Sequence, residues 1–291
     1  MSTNRTVEYS AMSAVGLRRI KNEDNLYAQG LVKPTFSNEP FKEDGKSTEK
    51  LSLFVVCDGM GGESSGEIAS STTVNELDSF VERLSKHRIL SHKAIYNEVQ
   101  TFVQFANKKI CDHMTIENIS RMGTTITGAL IVENTVVPFG MGDSRTYLFS
   151  VDGLIQLTQD HTQAQRLLDL GMITEEEMMS HPGRNKLIYH LGVPEDEGLV
   201  QAEVFNNVNL SNNDRLLLCS DGLTEHLTNT EIENIMGSYK DTHECADELM
   251  RLTYERGATD NVSCIVVNIY IKNNVKSLAN KIEGFLKRGS Q

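Results

Sequence analysis

The chain has 291 residues, a formal net charge of −12 and 39% hydrophobic residues, the profile of a soluble globular protein that can bury a core without disulfide staples. Length alone leaves one or two domains open. The acidic balance argues against a nucleic-acid binder, because phosphate backbones are held by clustered Lys and Arg.

In chain order, the first texture is the polar, turn-rich stretch 34–50 (PTFSNEPFKEDGKSTEK), which predicts a long, mobile surface loop. Leu51 to Val56 (LSLFVV), rich in β-formers and stopped by Asp58-Gly59, predicts a buried strand. From Gly66 the period changes. Ala69, Thr73, Leu77, Phe80, Val81 and Leu84 share one helical face, and Ile95, Val99, Phe102, Val103, Ala106 and Ile110 repeat the pattern, so two long helices are expected between 66 and 112. Strand signals return at Thr124–Val132, Thr135–Phe139, Arg145–Phe149 and Leu154–Leu157. The turns between them, Glu133-Asn134, Gly142-Asp143 and Asp152-Gly153, predict consecutive hairpins. Residues 163–192 are polar and helical, broken at Gly171, Pro182 and Gly183, and suggest a small accessory subdomain. Further strands are expected at Val200–Phe205, Asp214–Cys219 and Val262–Ile271. In the last, alternation of Ile265, Val267, Ile269 and Ile271 predicts one buried face. Strands clustering apart from long helices favour an antiparallel α+β layered fold over a doubly wound one.

Cys57, Cys111, Cys219, Cys245 and Cys264 are odd in number and never in C-x-x-C pairs, so neither a disulfide framework nor a zinc site is suggested and a reducing, cytoplasmic compartment fits best. The start Met1-Ser2-Thr3-Asn4-Arg5 leads into polar residues, and no stretch approaches the roughly 18 apolar residues of a membrane span. No transmembrane segment is therefore expected.

Four aspartates stand at strand ends or in turns beside Gly or Asn: Asp58-Gly59, Gly142-Asp143, Asp221-Gly222 and Asp260-Asn261. Asp24, in Asn22-Glu23-Asp24-Asn25, is a fifth. One such residue alone reads as a turn Asp. Repeated, the arrangement points to hard divalent cations, which take oxygen ligands and keep several waters. Other phosphate chemistries fit worse. Gly61 and Gly66 have G-x-x-x-x-G spacing, but Glu67 stands where a phosphate-binding loop needs Lys. Cys57, Cys111 and Cys219 lack a following Arg, and Met60 stands where an aspartyl-nucleophile phosphatase would carry a second Asp.

The ordered motifs G-L-R-R-I-K-N-E-D (16–24), V-V-C-D-G-M-G-G (55–62), M-G-T-T (122–125), G-D-S-R-T-Y (142–147), L-T-Q-D-H-T (157–162), D-R-L-L-L-C-S-D-G-L-T (214–224) and T-D-N-V-S (259–263) resemble the protein phosphatase 2C family, metal-dependent serine/threonine phosphatases, in its compact bacterial form. The resemblance runs from about Val7 to Ile271. It implies a four-layer αββα sandwich, two antiparallel sheets flanked by helices, with the metal site at one end. It also implies a single phosphatase domain over 5–271 with a flap subdomain at about 163–192.

Carried over by motif, Asp58 looks like the carboxylate bridging two Mn²⁺ or Mg²⁺ ions. Asp221 and Asp260 would complete the first ion's shell, and the Gly59 carbonyl would bind the second. Asp24, and Glu23 behind the ligands, would act largely through metal-bound water, while Asp143 would help form a third, weaker site. Arg19, five positions before Asp24, matches the phosphate-contacting arginine, and Arg18 is its decoy neighbour. The implied activity is hydrolysis of phosphoserine and phosphothreonine in proteins by a hydroxide shared between the ions, opposing a cognate Ser/Thr kinase. The alternative is a catalytically silent module of the same fold that only binds phosphoproteins.

The departures carry information. Met60 stands where many eukaryotic members have a His proposed as general acid, and His161 is at best a weak substitute, a structural role being its default. Glu63 replaces a His common in bacterial members. The segment 272–291 has Val275, Leu278, Ile282 and Phe285 on one helical face among Lys276, Lys281, Lys287 and Arg288. It predicts a terminal helix packed on its own domain, with a docking helix as the second option.

Overall fold

A computed structural model describes residues 5–61 and 65–272; Glu63 and the amphipathic stretch 274–288 lie outside the described residues. The chain opens with strands β1 (Arg5–Ala14), β2 (Asn25–Ala28), β3 (Leu31–Val32), β4 (Phe41–Ser47), β5 (Leu51–Cys57) and β6 (Gly59–Gly61). Helices α1 (Ser65–Asn75), α2 (Leu77–Ser85) and α3 (His92–Glu117) follow. The middle of the chain forms β7 (Met122–Thr124), β8 (Ile126–Val132), β9 (Thr135–Met141), β10 (Arg145–Ser150), β11 (Gly153–Gln156), α4 (Gln163–Asp169) and α5 (Glu175–Ser180). It ends with β12 (Glu203–Val204), β13 (Val208–Asn209), β14 (Arg215–Cys219), α6 (Asp221–Thr224), α7 (Asn229–Ser238), α8 (Thr242–Glu255) and β15 (Val262–Ile271).

Two antiparallel sheets carry the fold. One runs β11-β10-β14-β15-β1-β4; the other runs β12-β9-β8-β5-β2-β3, with β13 also on β9. Their facing sides share a core that includes Val7, Phe54, Val56, Leu216, Leu218, Ile265 and Val267. The outer side of the second sheet packs under α1 to α3 through Leu53, Val55, Leu77, Phe80, Val99, Phe102 and Phe139. Helices α7 and α8 cover the first sheet through Leu217, Cys219, Ile235, Leu249, Cys264 and Val266. The molecule is thus the expected α+β sandwich of four layers.

Five expectations are corrected. The stretch 34–50 is not only a loop: Phe41–Ser47 forms β4, paired with β1 from Val7↔Ser47 to Ser13↔Phe41. Its charged residues are what an edge strand needs to discourage further pairing. The segment 66–84 is two helices, since Glu76 falls outside both α1 and α2. The Thr73 hydroxyl donates to the Ala69 carbonyl at 2.9 Å, back-bonding that loosens the last turn of α1. Gly142-Asp143 does not close a hairpin, because β9 and β10 lie in different sheets; the chain crosses the sandwich there. Finally, β15 is buried on both faces over Val262–Ile269, the odd residues facing the other sheet and Val262, Cys264 and Val266 facing the helices. Near Val200–Phe205 only Glu203–Val204 is strand.

Local signals account for the helix ends. Ser91 caps α3 by accepting from the Ala94 amide, Thr228 and Glu231 form a capping box on α7, and Asp241 caps α8 through the His243 and Glu244 amides. No helix of the described residues is long and apolar enough to cross a membrane.

The seam between helices and sheet depends on Phe80, fully buried, with its ring centroid 5.1 Å from Phe102 and 6.3 Å from Phe139. Phe80→Ala is expected to cost about 3–5 kcal/mol, read as a lowered urea midpoint at unchanged slope. A loss below about 1 kcal/mol would contradict this packing.

Candidate active site

The strand ends meet at one edge of the sandwich around a cavity of about 670 Å³ whose walls include Arg19, Glu23, Asp58, Gly59, Asp143, Asp221, Glu225 and Asp260. These residues come from distant parts of the chain. Asp58 follows β5 and is fixed by a two-way lock: its amide donates to the Thr125 hydroxyl at 2.9 Å, and its carbonyl accepts from the Thr125 amide and the Thr124 hydroxyl, each at 2.8 Å. Asp143 sits in the crossover between sheets, and Asp221 begins α6 directly after β14. Asp260 and Asn261 immediately precede β15.

Arg19 reaches the cavity from the loop between β1 and β2. The loop is tied down by Asn261, whose side-chain amide donates to the carbonyls of Val15 and Lys21 at 2.8 and 2.7 Å and accepts from the Glu23 amide at 2.8 Å. Gly16 turns the chain with φ +83°, and a Cβ there would lie 2.0 Å from the Asp260 carbonyl oxygen, so no other residue fits. Arg19 Nη2 donates to Asp260 Oδ2 at 2.5 Å, while half the Arg19 side chain remains exposed. Arg18 is not among the cavity residues.

Behind Gly59 the packing is tight. A Cβ on Gly59 would lie 2.2 Å from the Gly66 carbonyl oxygen and 2.4 Å from that of Glu23, which explains a glycine where the backbone itself lines the cavity. Glu23 Oε1 accepts from the Gly66 amide at 3.2 Å.

Asp24, expected to act largely through metal-bound water, lies behind the cavity wall. It is 1% exposed, is not among the residues of the cavity wall, and its Oδ2 accepts from the Ser220 and Ser263 hydroxyls at 2.8 and 2.7 Å. Its place behind the wall suits action through water or charge rather than direct ligation. His161 takes its structural option: Nδ1 accepts from the Gly142 amide at 3.1 Å and Nε2 lies 3.1 Å from Glu203.

The electrostatics are those of crowded acids. Burial, with repulsion from Asp24, Asp221 and Asp260, pushes the Asp58 carboxyl well above the usual carboxylate range. Burial, then Asp221 and Asp160, does the same to Asp143. Burial raises Asp221 to about 6 and Asp24 to about 7 against its two serine hydrogen bonds, and it raises Glu23. The Asp58 and Asp221 carboxyls are close enough to share a hydrogen bond. Two oxygens, Asp24 Oδ1 and Asp221 Oδ1, are buried with no hydrogen-bond partner, an unfavourable state that a cation or its waters would relieve. Among the described residues no three His, Cys, Asp or Glu side chains are grouped so as to hold a metal ion as they stand. The donors are all oxygen and line an open wall, which fits hard divalent ions that retain water better than a zinc-type cage.

Sequence reasoning missed several residues here. Thr125, Ser220, Ser263 and Asn261 hold the acids, and all lie inside or beside the recognised motifs without a titratable group to mark them. Arg121, Gln163, Asn185, Lys186 and His190 also line the cavity, and only the fold brings them there.

A sequence model of protein phosphatase 2C matches residues 42–262. The serine/threonine phosphatase stp of Listeria innocua is 36% identical over 224 residues, 76% of this chain and 86% of that protein. The crystal structure of serine/threonine phosphatase Stp1 from Staphylococcus aureus superposes with a TM-score of 0.75 at 29% identity, over 92% of this chain and 97% of that one. The catalytic domain of serine threonine protein phosphatase PstP, solved in complex with two manganese ions, gives 0.72 at 28% identity over 91% and 99%. With cavity, fold and sequence model in agreement, the chain belongs to the protein phosphatase 2C family.

Proposed function

We propose that the chain is a Mn²⁺- or Mg²⁺-dependent protein serine/threonine phosphatase of the cytoplasm that hydrolyses phosphoserine and phosphothreonine in proteins, opposing a Ser/Thr kinase. The observation that carries the reading is the half-exposed Arg19 guanidinium held over a wall of buried, mutually repelling carboxyls. Residues 5–271 would form one phosphatase domain with 163–192 as its flap, and 272–291 an appended segment.

Asp58, Asp221 and Asp260, with the Gly59 carbonyl, would hold two divalent ions. Asp143 would contribute to a third, and Asp24 and Glu23 would support them through water. When bound, such ions supply Lewis acidity, lowering the pKa of water in the site and offsetting phosphate charge. The chain's own groups do the rest. Asp260 engages one face of the Arg19 guanidinium, leaving its other N–H groups to take a phosphate dianion bidentately and stabilise the charge that grows during in-line displacement. The Thr124 and Thr125 lock fixes Asp58 at one end of the β6–β7 ribbon, so the acid keeps its place when its proton is exchanged for a cation. Met60 has no proton to give and His161 is committed to Gly142 and Glu203, so neither supplies the leaving oxygen's proton.

Asp58→Asn is expected to lower Mn²⁺-dependent hydrolysis of a phosphothreonine peptide by about 10³-fold or more. Turnover that survives a chelator, or an undiminished variant, would refute metal dependence, and no turnover by the native chain would favour the silent binding module. Arg19→Ala is expected to raise KM for the peptide by about tenfold while calorimetric Mn²⁺ binding persists. Loss of Mn²⁺ binding in that variant would overturn the phosphate assignment.

A further inference from the structure

The hydrolysis proposed above leaves the departing oxygen's proton unassigned. Among the described residues that line the cavity, the histidine is His190. Its segment runs as a third line beside the β6–β7 ribbon. Thr124 and Leu191 exchange amide-to-carbonyl hydrogen bonds at 3.2 and 2.9 Å in an antiparallel bridge, so His190 stands opposite Thr125. The β6–β7 register, Gly59↔Thr124, Met60↔Gly123 and Gly61↔Met122, likewise puts Asp58 opposite Thr125. Asp58, Thr125 and His190 therefore form one row across three lines of chain, and residues in such a row share a face. All three line the cavity. Two inter-strand spacings, about 9.5 Å, separate the backbones of Asp58 and His190. That gap admits a phosphoryl group attacked from the Asp58 side, with its departing oxygen toward His190.

The ring is held in one orientation. Nδ1 lies 2.8 Å from the Leu191 carbonyl oxygen, and a carbonyl can only accept, so Nδ1 carries a hydrogen and proton transfer falls to Nε2. The ring stands over Gly123, where a Cβ would lie 2.9 Å from Nδ1 and 2.5 Å from the Leu191 carbonyl oxygen; a larger residue there would displace it. The segment beneath is anchored: Leu191 is fully buried, and the Asn107 side chain accepts from the Gly192 and Val193 amides at 2.7 and 3.0 Å. Resting on the phosphatase reading of the cavity, we propose that His190 is the general acid of the reaction, its Nε2–H protonating the serine or threonine oxygen as the phosphorus–oxygen bond breaks. The bond from the attacking hydroxide oxygen to phosphorus forms while the bond from phosphorus to the side-chain oxygen breaks. The electron pair left on that oxygen takes the Nε2 proton, and the products are the free hydroxyl and hydrogen phosphate. The neutral ring keeps Nδ1–H on Leu191 and regains its second proton from the next water, which becomes the hydroxide of the following turnover. In-line displacement needs its acid on the side opposite the attacking oxygen, and His190 occupies the end of the row away from Asp58.

The test uses the full chain with Mn²⁺ and aryl phosphates of similar size whose departing oxygens differ in basicity, from p-nitrophenyl phosphate to phenyl phosphate, with a phosphothreonine peptide beside them. Nitrophenolate departs without a proton, whereas phenolate and the threonine alkoxide need one. The variants are His190→Asn, whose side-chain amide can keep the bond to the Leu191 carbonyl, and His190→Gln. Both are expected to lower kcat/KM for phenyl phosphate and the peptide about 10²-fold while changing p-nitrophenyl phosphate by less than about threefold. A histidine that only supports the fold, or only touches a peptide, would lower the aryl esters alike. Equal losses on all esters, or the native leaving-group dependence retained in both variants, would overturn the proposal. Each comparison sets two substrates on one protein, so the folded fraction cancels. The native chain gives a second reading that needs no variant: a fall of more than about 10²-fold from p-nitrophenyl to phenyl phosphate would mean that no acid assists departure, and would also overturn the proposal. Should the native chain hydrolyse none of the esters, the phosphatase reading and the proposal fall together, whereas an adverse leaving-group result with turnover intact overturns the proposal alone.

Discussion

Carboxyl groups from five separate stretches of chain crowd one end of this sandwich, and their mutual repulsion is the constraint around which the rest is arranged. Asp58, Asp143 and Asp221 each sit so deep that burial and neighbouring charge hold them toward the protonated form, and Asp24 lies deeper still. A protein gains nothing in stability from such a cluster by itself. Strand pairing keeps it together. The β1–β15, β14–β15 and β5–β8 ladders fix the backbone on either side, and the acids project from strand ends that cannot move without breaking those ladders.

Neutral hydrogen bonds finish the work. Thr125 grips both polar groups of the Asp58 backbone, Asn261 knots the Arg19 loop to β15, and Ser220 and Ser263 satisfy one oxygen of Asp24. The other Asp24 oxygen and one of Asp221 have no partner. A site whose backbone is anchored by such bonds while two of its acid oxygens remain unsatisfied is prepared for a ligand of opposite charge, and this is the physical content of the metal-dependent reading. The formal charge of −12, which at first only argues against nucleic acid, thus has a local meaning: part of it is concentrated where cations would neutralise it.

Much of this was legible in the residues. The buried runs at 51–56 and 214–219 and the helical periods over 69–110 gave strands and helices directly, because both signals are local. The aspartates at strand ends were visible as a repeated pattern. What escaped was non-local. β4, Phe41-Lys42-Glu43-Asp44-Gly45-Lys46-Ser47, has no apolar alternation and exists only because β1 offers it an edge. The passage of the chain between sheets at Gly142 reads locally as any hairpin turn, and the second buried face of β15 depends on α7 and α8 arriving above it. Asp24 and Glu23 are neighbours in sequence, yet one is fully enclosed and the other lines the cavity, a distinction set by Ser220 and Ser263 about two hundred residues on. His190, likewise, joins the wall only after β7 and the segment around Leu191 are paired.

The most direct test of the central claim, that this acid cluster is built to be neutralised by divalent cations, is calorimetric titration of the full chain with Mn²⁺. The account predicts at least two ions bound per chain, with the stoichiometry reduced in Asp58→Asn because that carboxylate is among the groups proposed to hold them. Absence of Mn²⁺ binding to the native chain, or an identical isotherm in the variant, would contradict it.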